Sequence, residues 1–598
     1  MKRRWIMLLA LVLVFTMVFV ACTPKQETPA EDPKTEDTVK DEPKEDVTEE
    51  KPEDDEAKED AEKPTEGSAP SGEYWTAATN VAANPDLATG RGKDTLVVGS
   101  AQFNGVFNPF LRDTTYDQNI IDQVFDSTLT NDADGNLIDK VCKLDIISAT
   151  EYKLTMIAEP KFHDGTTADA DDIKFAFLLA GHPDFDGIAN FDDAKIVGYA
   201  DYQAGNADDI EGIVVSEDKK EITITLEEGN VLFKFDLRIP IFPSHYYAPD
   251  GTIDMEFIRS LNEKPMGIGP YQLVSYTPGQ EAVLEAYDEY WQGKPNIPNI
   301  IFKVVPSSAE LSSVLTGDVD IMELNATIDN RAEAENAGFL DLCVYPTNGY
   351  GYVGMNFNAN PILADKTVRQ AIAHAINRKG VTEAVYGEFG NEINIVQSRV
   401  SPYFTDEGVN HYEFDLAKSE ELFNEAGWEK NADGILEKDG QKLTINFLGM
   451  EDNPVQQILV PEMIKDFKEV GIDFSVEYVD WATLSSRVSD EAAEMWFMAW
   501  NLTINPDNAN IYGTGRDQNR HGYSNPELDA LYQEAYKETD EAKEKEIWAE
   551  IYKTINEDLP AIPIYQRSDM IAANARVQNL IASPYQRIYW DLWKATID

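Results

Sequence analysis

An abrupt change in residue chemistry near position 73 sets what this chain can fold into. Residues 23–72 contain 19 acids, 7 lysines and no aromatic residue, a net charge of −12, with proline recurring throughout. Such a stretch cannot bury enough apolar surface to offset its chain entropy, and its charges repel one another. It is expected to be disordered and extended, a spacer and a solubilising tail at once. The rest of the 598 residues, from Trp75 onward, must hold nearly all of the 10 Trp, 26 Tyr and 26 Phe. Those rings can fill a large core, so this part is expected to be globular. At roughly 150 residues per domain, the length suggests about four domains.

Ahead of the acidic stretch lies an address. Lys2, Arg3 and Arg4 form a basic start, and residues 6–20 are apolar apart from Thr16. Fifteen helical residues span about 22 Å, short of a roughly 30 Å hydrocarbon core. Residues 1–21 therefore read as a signal peptide. The run closes on Phe19-Val20-Ala21-Cys22, which resembles the bacterial lipobox. There, Cys22 would become the lipidated first residue of the mature protein, with 22–72 as its tether. The alternative is ordinary cleavage nearby with Cys22 left free.

Charge excludes whole classes of function. Fifty Lys and Arg face 108 Asp and Glu, a net of −58. A phosphate-backbone binder needs a basic surface, as does a protein held to anionic lipid by a polybasic patch. Nucleic acid is thus excluded as a partner. A strongly anionic ligand is disfavoured at long range, within the limit set by the Debye length. Three cysteines in such a length exclude a disulfide scaffold and a Cys-rich metal site.

No internal repeat is visible, and strand-like and helical segments alternate, which predicts α/β layers. Residues 95–99 form a β-branched run; 221–226 and 443–448 alternate polar and apolar. In 365–378, Val368, Ile372, Ala375 and Ile376 share one helical face, and Asp365 or Thr367 could cap its start. A helix over 309–316, stopped by Gly317, should lead into a strand over 319–322. The loops 131–136 and 431–434 mimic calcium loops. Position twelve would be Val141 or Gly440 where a bidentate Glu is required, so both read as Asp-Gly turns.

The search for chemistry returns little. None of the six histidines has a second His four residues on, and there is no G-x-S-x-G elbow or P-loop. No catalytic residue, cofactor or metal is expected. Cys142 and Cys343 lie in apolar stretches and read as buried thiols, with a disulfide between them left open. Nothing marks out a glycosidase pair among the acids.

A set of short motifs carries the identification. Residues 162–175 read F-H-D-G-T-T-A-D-A-D-D-I-K-F: a turn at Asp164-Gly165, then acids at a helix start. G-I-G-P-Y-Q-L at 267–273, Y-W-Q-G-K-P at 290–295 and L-T-G-D-V-D-I at 315–321 follow. N-F-N at 356–358, V-R-Q-A-I at 368–372 and I-N-R at 376–378 come next, then Y-S-N-P-E-L-D at 523–529 and L-P-A-I-P-I-Y at 559–565. In this order, spanning about 95–570, they resemble the signatures of family 5 extracellular solute-binding proteins, the peptide-binding components of ABC importers.

That resemblance implies an α/β, two-lobed periplasmic-binding-protein-like fold (type II, cluster C) with an extra subdomain in the first lobe. Lobe one would combine 73–135, 255–345 and 557–598, the subdomain would be 136–254, and lobe two 346–556. A ligand would lie in the interlobe cleft, buried by hinge closure. The function implied is a lipid-anchored, extracytoplasmic, monomeric binding protein. It would deliver an oligopeptide or similar small solute to ABC permease subunits, as a carrier and not an enzyme. The competing readings are an extracellular peptide or glycan hydrolase and a surface receptor for ligand sensing.

In the family's peptide binders, an Asp in a segment like W-x-A-D-Y-x-D-P pairs with the peptide amino terminus. Here the segment is 499–507, A-W-N-L-T-I-N-P-D, and that Asp is missing. The resemblance makes Trp500, Asn501, Thr503 and Asp507 ligand-binding candidates, with Trp500 a cleft wall or else a core residue. Gln102, Phe103, Asn104 and Phe107 follow the first strand at its carboxyl end. Tyr350 and Tyr352 precede Asn356, and Arg399 could meet a carboxylate bidentately.

Overall fold

The computed structural model describes residues 74–598. Residues 1–21, Cys22 and the acidic tether lie outside the described residues.

The strand Thr95–Ser100 is buried almost end to end. Its parallel neighbour Asn299–Val304 lies on one side and Ile321–Asn325 on the other, which is why its sequence is a continuous apolar run. These belong to a mixed thirteen-stranded sheet that also takes in Tyr271–Thr277 and Glu281–Ala286. The same sheet continues through Ala561–Asn574 into Gly349–Met355, Met495–Asn501, Thr444–Gly449 and Asp473–Tyr478. By contrast Glu221–Thr225 alternates buried and exposed side chains within a separate four-stranded antiparallel sheet. The helix Ala170–Ala180 packs its Ile173, Phe177 and Ala180 into the core beside that sheet.

The long strand Ala561–Asn574 defines the architecture. Its first half pairs with Gly349–Met355 and Gly390–Glu392, and its second half with Leu340–Pro346 and Ile321–Asn325. Two lobes thus share one strand. The chain passes between them at Thr347-Asn348 and again at Arg567-Ser568. One apolar core fills the first lobe, with Leu96, Val98 and Phe302 at its centre. Another fills the second, around Val353, Ile445 and Phe497.

Expected elements recur with shifted ends. The helix read at 365–378 is Lys366–His374, and Asp365 accepts from Thr367 N at its start. The helix read at 309–316 is Glu310–Leu315, followed by Gly317 at φ +73° and the strand Ile321–Asn325. Both supposed calcium loops are hairpin turns, with Gly135 and Gly434 at positive φ; in the first, Asp132 accepts from Asp134 N and Asn136 N. Cys142 and Cys343 are buried free thiols.

Candidate ligand-binding site

The motif residues build scaffold. Gly165 turns the 162–175 segment at φ +87°, and Asp169 and Asp172 form a capping box on the helix that follows. His163 reaches the G-x-G-P-Y segment: its backbone N–H donates to Gly267 O (3.1 Å) and its Nε2 to Gly269 O (3.0 Å). A Cβ on Gly267 or Gly269 would stand 2.3 or 2.5 Å from the carbonyl oxygens of Val124 and Gln123. These glycines are there for backbone approach. Tyr290 OH and Trp291 Nε1 both donate to Asp126, each at 2.9 Å. Arg369 donates to the carbonyls of Leu363, Ala364, Asp558 and Leu559.

The hinge is where the lobes meet in hydrogen bonds. Thr347 N donates to Arg567 O (2.8 Å), tying the two crossings together. The side chain of Gln566, 1% exposed, donates to Thr347 O (2.6 Å) and Ser398 Oγ (2.9 Å), and its Oε1 accepts from Arg399 N (3.0 Å). Beside this knot lies a cavity of about 550 Å³. Tyr74, Asp134 and Tyr585 line it on one side and Arg399 on the other, with Pro346 and Gln566 at the crossings. A second cavity, about 330 Å³, separates Leu137, Ile146 and Phe235 from Tyr403 and Glu544. There Lys234 meets Glu544 at 2.6 Å, a pair almost out of water. A third, about 190 Å³, opens at the carboxyl ends of Thr95–Ser100 and Ile321–Asn325 and reaches Arg567 and Asp569 on the shared strand.

The expected site residues divide. Arg399 lines the 550 Å³ cavity, its guanidinium half-exposed over the Phe404 ring and donating to Glu392 O at 3.2 Å. Trp500 is half-buried and stacks on Tyr352, centroids 6.2 Å apart and planes 3° from parallel. Asn501 and Thr503 are exposed beside the hinge, where Asn348 Nδ2 donates to Leu502 O and Thr503 O. Asp507 accepts from Ala509 N (2.9 Å) and Tyr536 OH (3.0 Å).

Four of the candidates lie inside the fold. Phe103 and Phe107 are fully buried and pack with Tyr276. They are core residues, because the chain turns inward directly after its first strand. Tyr350 and Tyr352 are 3% exposed. Glycines at 351 and 354 leave room for large rings from neighbouring strands, and a Cβ on Gly351 would stand 2.3 Å from the Tyr565 ring. Tyr350 OH lies 3.4 Å from Tyr512 OH. Gln102 and Asn104 are exposed; Asn104 donates to Asp113 at 3.0 Å and lines none of the three cavities.

Sequence reasoning missed the groups that face Asp507. Asp236 and Asp193 are close enough for their charges to act on it. Asp236 and Asp507 are both exposed at their outer edges. Burial pushes Asp236 up to about 7; Arg238 opposes that shift, and Asp507 and Asp193 add to it. A signal was present: Lys234, Asp236 and Arg238 punctuate the apolar run 231–241 at every second residue.

Two lobes on a double crossing, with cavities walled by both, define a two-lobed solute-binding protein. The chain belongs to the bacterial extracellular solute-binding proteins, family 5: residues 148–522 match the family's middle region. It is 26% identical over 508 residues to the oligopeptide-binding protein AppA of Bacillus subtilis, across 83% of this chain and 90% of that protein. It is 23% identical over 412 residues to OppA of Lactococcus lactis, across 63% and 67%. Among solved structures, Bacillus subtilis AppA in complex with a nonapeptide superposes with a TM-score of 0.67 at 24% identity, covering 84% of this chain and 99% of that one. Lactococcal OppA with an endogenous peptide gives 0.68 at 17%, covering 83% and 99%.

Proposed function

We propose that this chain captures an oligopeptide, or a similar small solute, between its lobes and delivers it to the permease of an ABC importer. We read it as a monomer whose mature chain is fixed by lipid on Cys22 to the outer face of the cytoplasmic membrane. The lobes would comprise 73–135, 255–345 and 557–598 against 346–556, with 136–254 as a subdomain of the first and the strand Ala561–Asn574 shared. The observation that carries this reading is the hydrogen-bonded double crossing beside a 550 Å³ cavity walled by both lobes. Relatives named as oligopeptide-binding proteins give it its substrate class.

Affinity would come from polar groups at the hinge and from the Trp500 face, with closure favoured by contacts that exist only when the lobes meet. On this reading the exposed side chains of Arg399, Asn501, Thr503 and Asp507 would add polar contacts. A peptide library should raise the melting temperature through linkage, and small-angle scattering should show compaction on binding. No response to any peptide by either measure would end the reading. Labelling with a radioactive fatty acid should mark the wild-type protein in a bacterial host and spare Cys22→Ala. Equal labelling of both would remove the anchor.

A further inference from the structure

The 190 Å³ cavity at the strand ends has an uneven chemistry. Glu310, Glu323 and Asp569 line it, together with Ser100, Asn119 and Arg567. Arg567 is committed to Asp569, at 2.7 Å. The carboxylates of Glu310 and Glu323 make no ion pair or hydrogen bond among the described residues, and both are only half-buried, so they open to the cavity. Two polar groups behind them are also unpartnered. Ser100 Oγ and Asn119 Oδ1 have no hydrogen-bond partner, in residues only 4% and 3% exposed. Buried polar atoms without partners call for an explanation, and two of them behind two unpaired carboxylates at one cavity point to a ligand that supplies the missing groups.

We propose that this cavity is a subsite for a basic side chain of the bound peptide, an arginine or lysine held by Glu310 and Glu323; the assignment rests on the peptide-binding reading above. The free groups are mostly acceptors, so the guest must donate. Ionised carboxylates accept only, and a guanidinium offers five donors while an ammonium offers three. Burial raises the pKa of both glutamates, and each feels a neighbouring carboxylate, Glu310 that of Glu323 and Glu323 that of Asp569. A cation between them would reverse both effects. Arg567 and Arg587 are the two cations acting on Glu323 and Asp569, so the three lining carboxylates keep one negative charge in excess. The 42% exposed Tyr116 and the buried Tyr589 supply ring faces that suit a guanidinium. The volume fits a side-chain end, and no cluster among the described residues could hold a metal ion.

Isothermal titration of five-residue alanine-based peptides tests this. Each carries one arginine, scanned along the sequence, or citrulline, which keeps the shape and loses the charge. At one position arginine should bind at least about tenfold tighter than citrulline, the scale of a charge-assisted pair. The Glu310→Gln, Glu323→Gln double variant should lose that preference while holding its affinity for the citrulline peptide. Should the double variant not fold, Glu310→Gln alone, at a half-exposed helix start, must still cut the preference at least about threefold. Equal binding of arginine and citrulline peptides, or a preference that survives in the folded variants, overturns the subsite and leaves peptide binding standing. If no peptide binds, both fall together.

Discussion

His521 lies between two rings, Trp496 at 5.6 Å and Tyr512 at 5.5 Å, and its Nδ1 donates to Met355 O at 2.9 Å. Burial pushes its pKa down to about 4, against the favourable bond to Met355. The unfolded chain takes up this proton near pH 6.5, so between pH 6.5 and 4 the unfolded state binds more protons. Its contribution to stability is therefore full above pH 6.5 and is lost as pH falls, by about 2 kcal/mol at pH 5. His521→Phe keeps a stacked ring and cannot titrate. Denaturant melts should show the wild-type advantage over this variant shrinking by about 2 kcal/mol between pH 7.5 and 5. A constant difference would mean that the ring is not buried in its neutral form. Trp500, the half-buried partner of Tyr352, should behave differently. Trp500→Ala should weaken peptide binding by about tenfold at a stability cost of only about 1 kcal/mol, the scale of a lost ring pair. Unchanged affinity in calorimetry would make it a packing residue.

At the scale of elements, Arg369 shows why the signature motifs are structural. It is 3% exposed, and it fastens the helix Lys366–His374 to the last turn of Glu541–Asp558 through the carbonyls of Asp558 and Leu559. Removing it would leave four carbonyls without their donor. Arg369→Ala is expected to cost about 3 kcal/mol or more, read as a lower urea midpoint with an unchanged slope. A loss below about 1 kcal/mol would show that water replaces the guanidinium freely. The same helix shows what periodicity conveys. Val368, Ile372, Ala375 and Ile376 are all buried as their spacing requires, but the helix ends at His374. A second helix, Arg378–Tyr386, begins after the cap at Asn377, so Ala375 and Ile376 complete the apolar face from the turn between two helices.

For the whole molecule, the contact between the 136–254 segment and the second lobe is the decisive interface. Val231, Leu232 and Phe235 share a core with Tyr403, Tyr512 and Trp548, and Val231 N donates to Tyr536 O at 2.8 Å. At its edge Lys234 meets Glu544, which also accepts from Tyr403 OH at 3.0 Å. Lys234→Met would leave Glu544 buried without its counter-charge, an expense of about 3 kcal/mol wherever these two segments stay packed together. Lys234→Met should therefore compact less than wild type when peptide is added in small-angle scattering, and bind peptide more weakly. Identical scattering curves would show that the pair does not hold the lobes together.

The sequence by itself determined the α/β class, the main strands and helices, the Asp-Gly hairpins and, through motifs in family order, membership of the family. All of these depend on neighbours along the chain: periodicity, caps and turn chemistry act within a few residues. Only the tertiary structure decided which of the candidate residues are core and which are exposed. Phe103, Phe107, Tyr350 and Tyr352 have the composition of a binding wall and are core. Glu310 and Glu323 look like ordinary surface acids and line one cavity. Which face of a strand is buried, and which charges meet across a hinge, depends on segments hundreds of residues apart. Asp507 comes within reach of the Asp236 charge, and Thr347 N donates to Arg567 O, only because distant segments pack together around the shared strand.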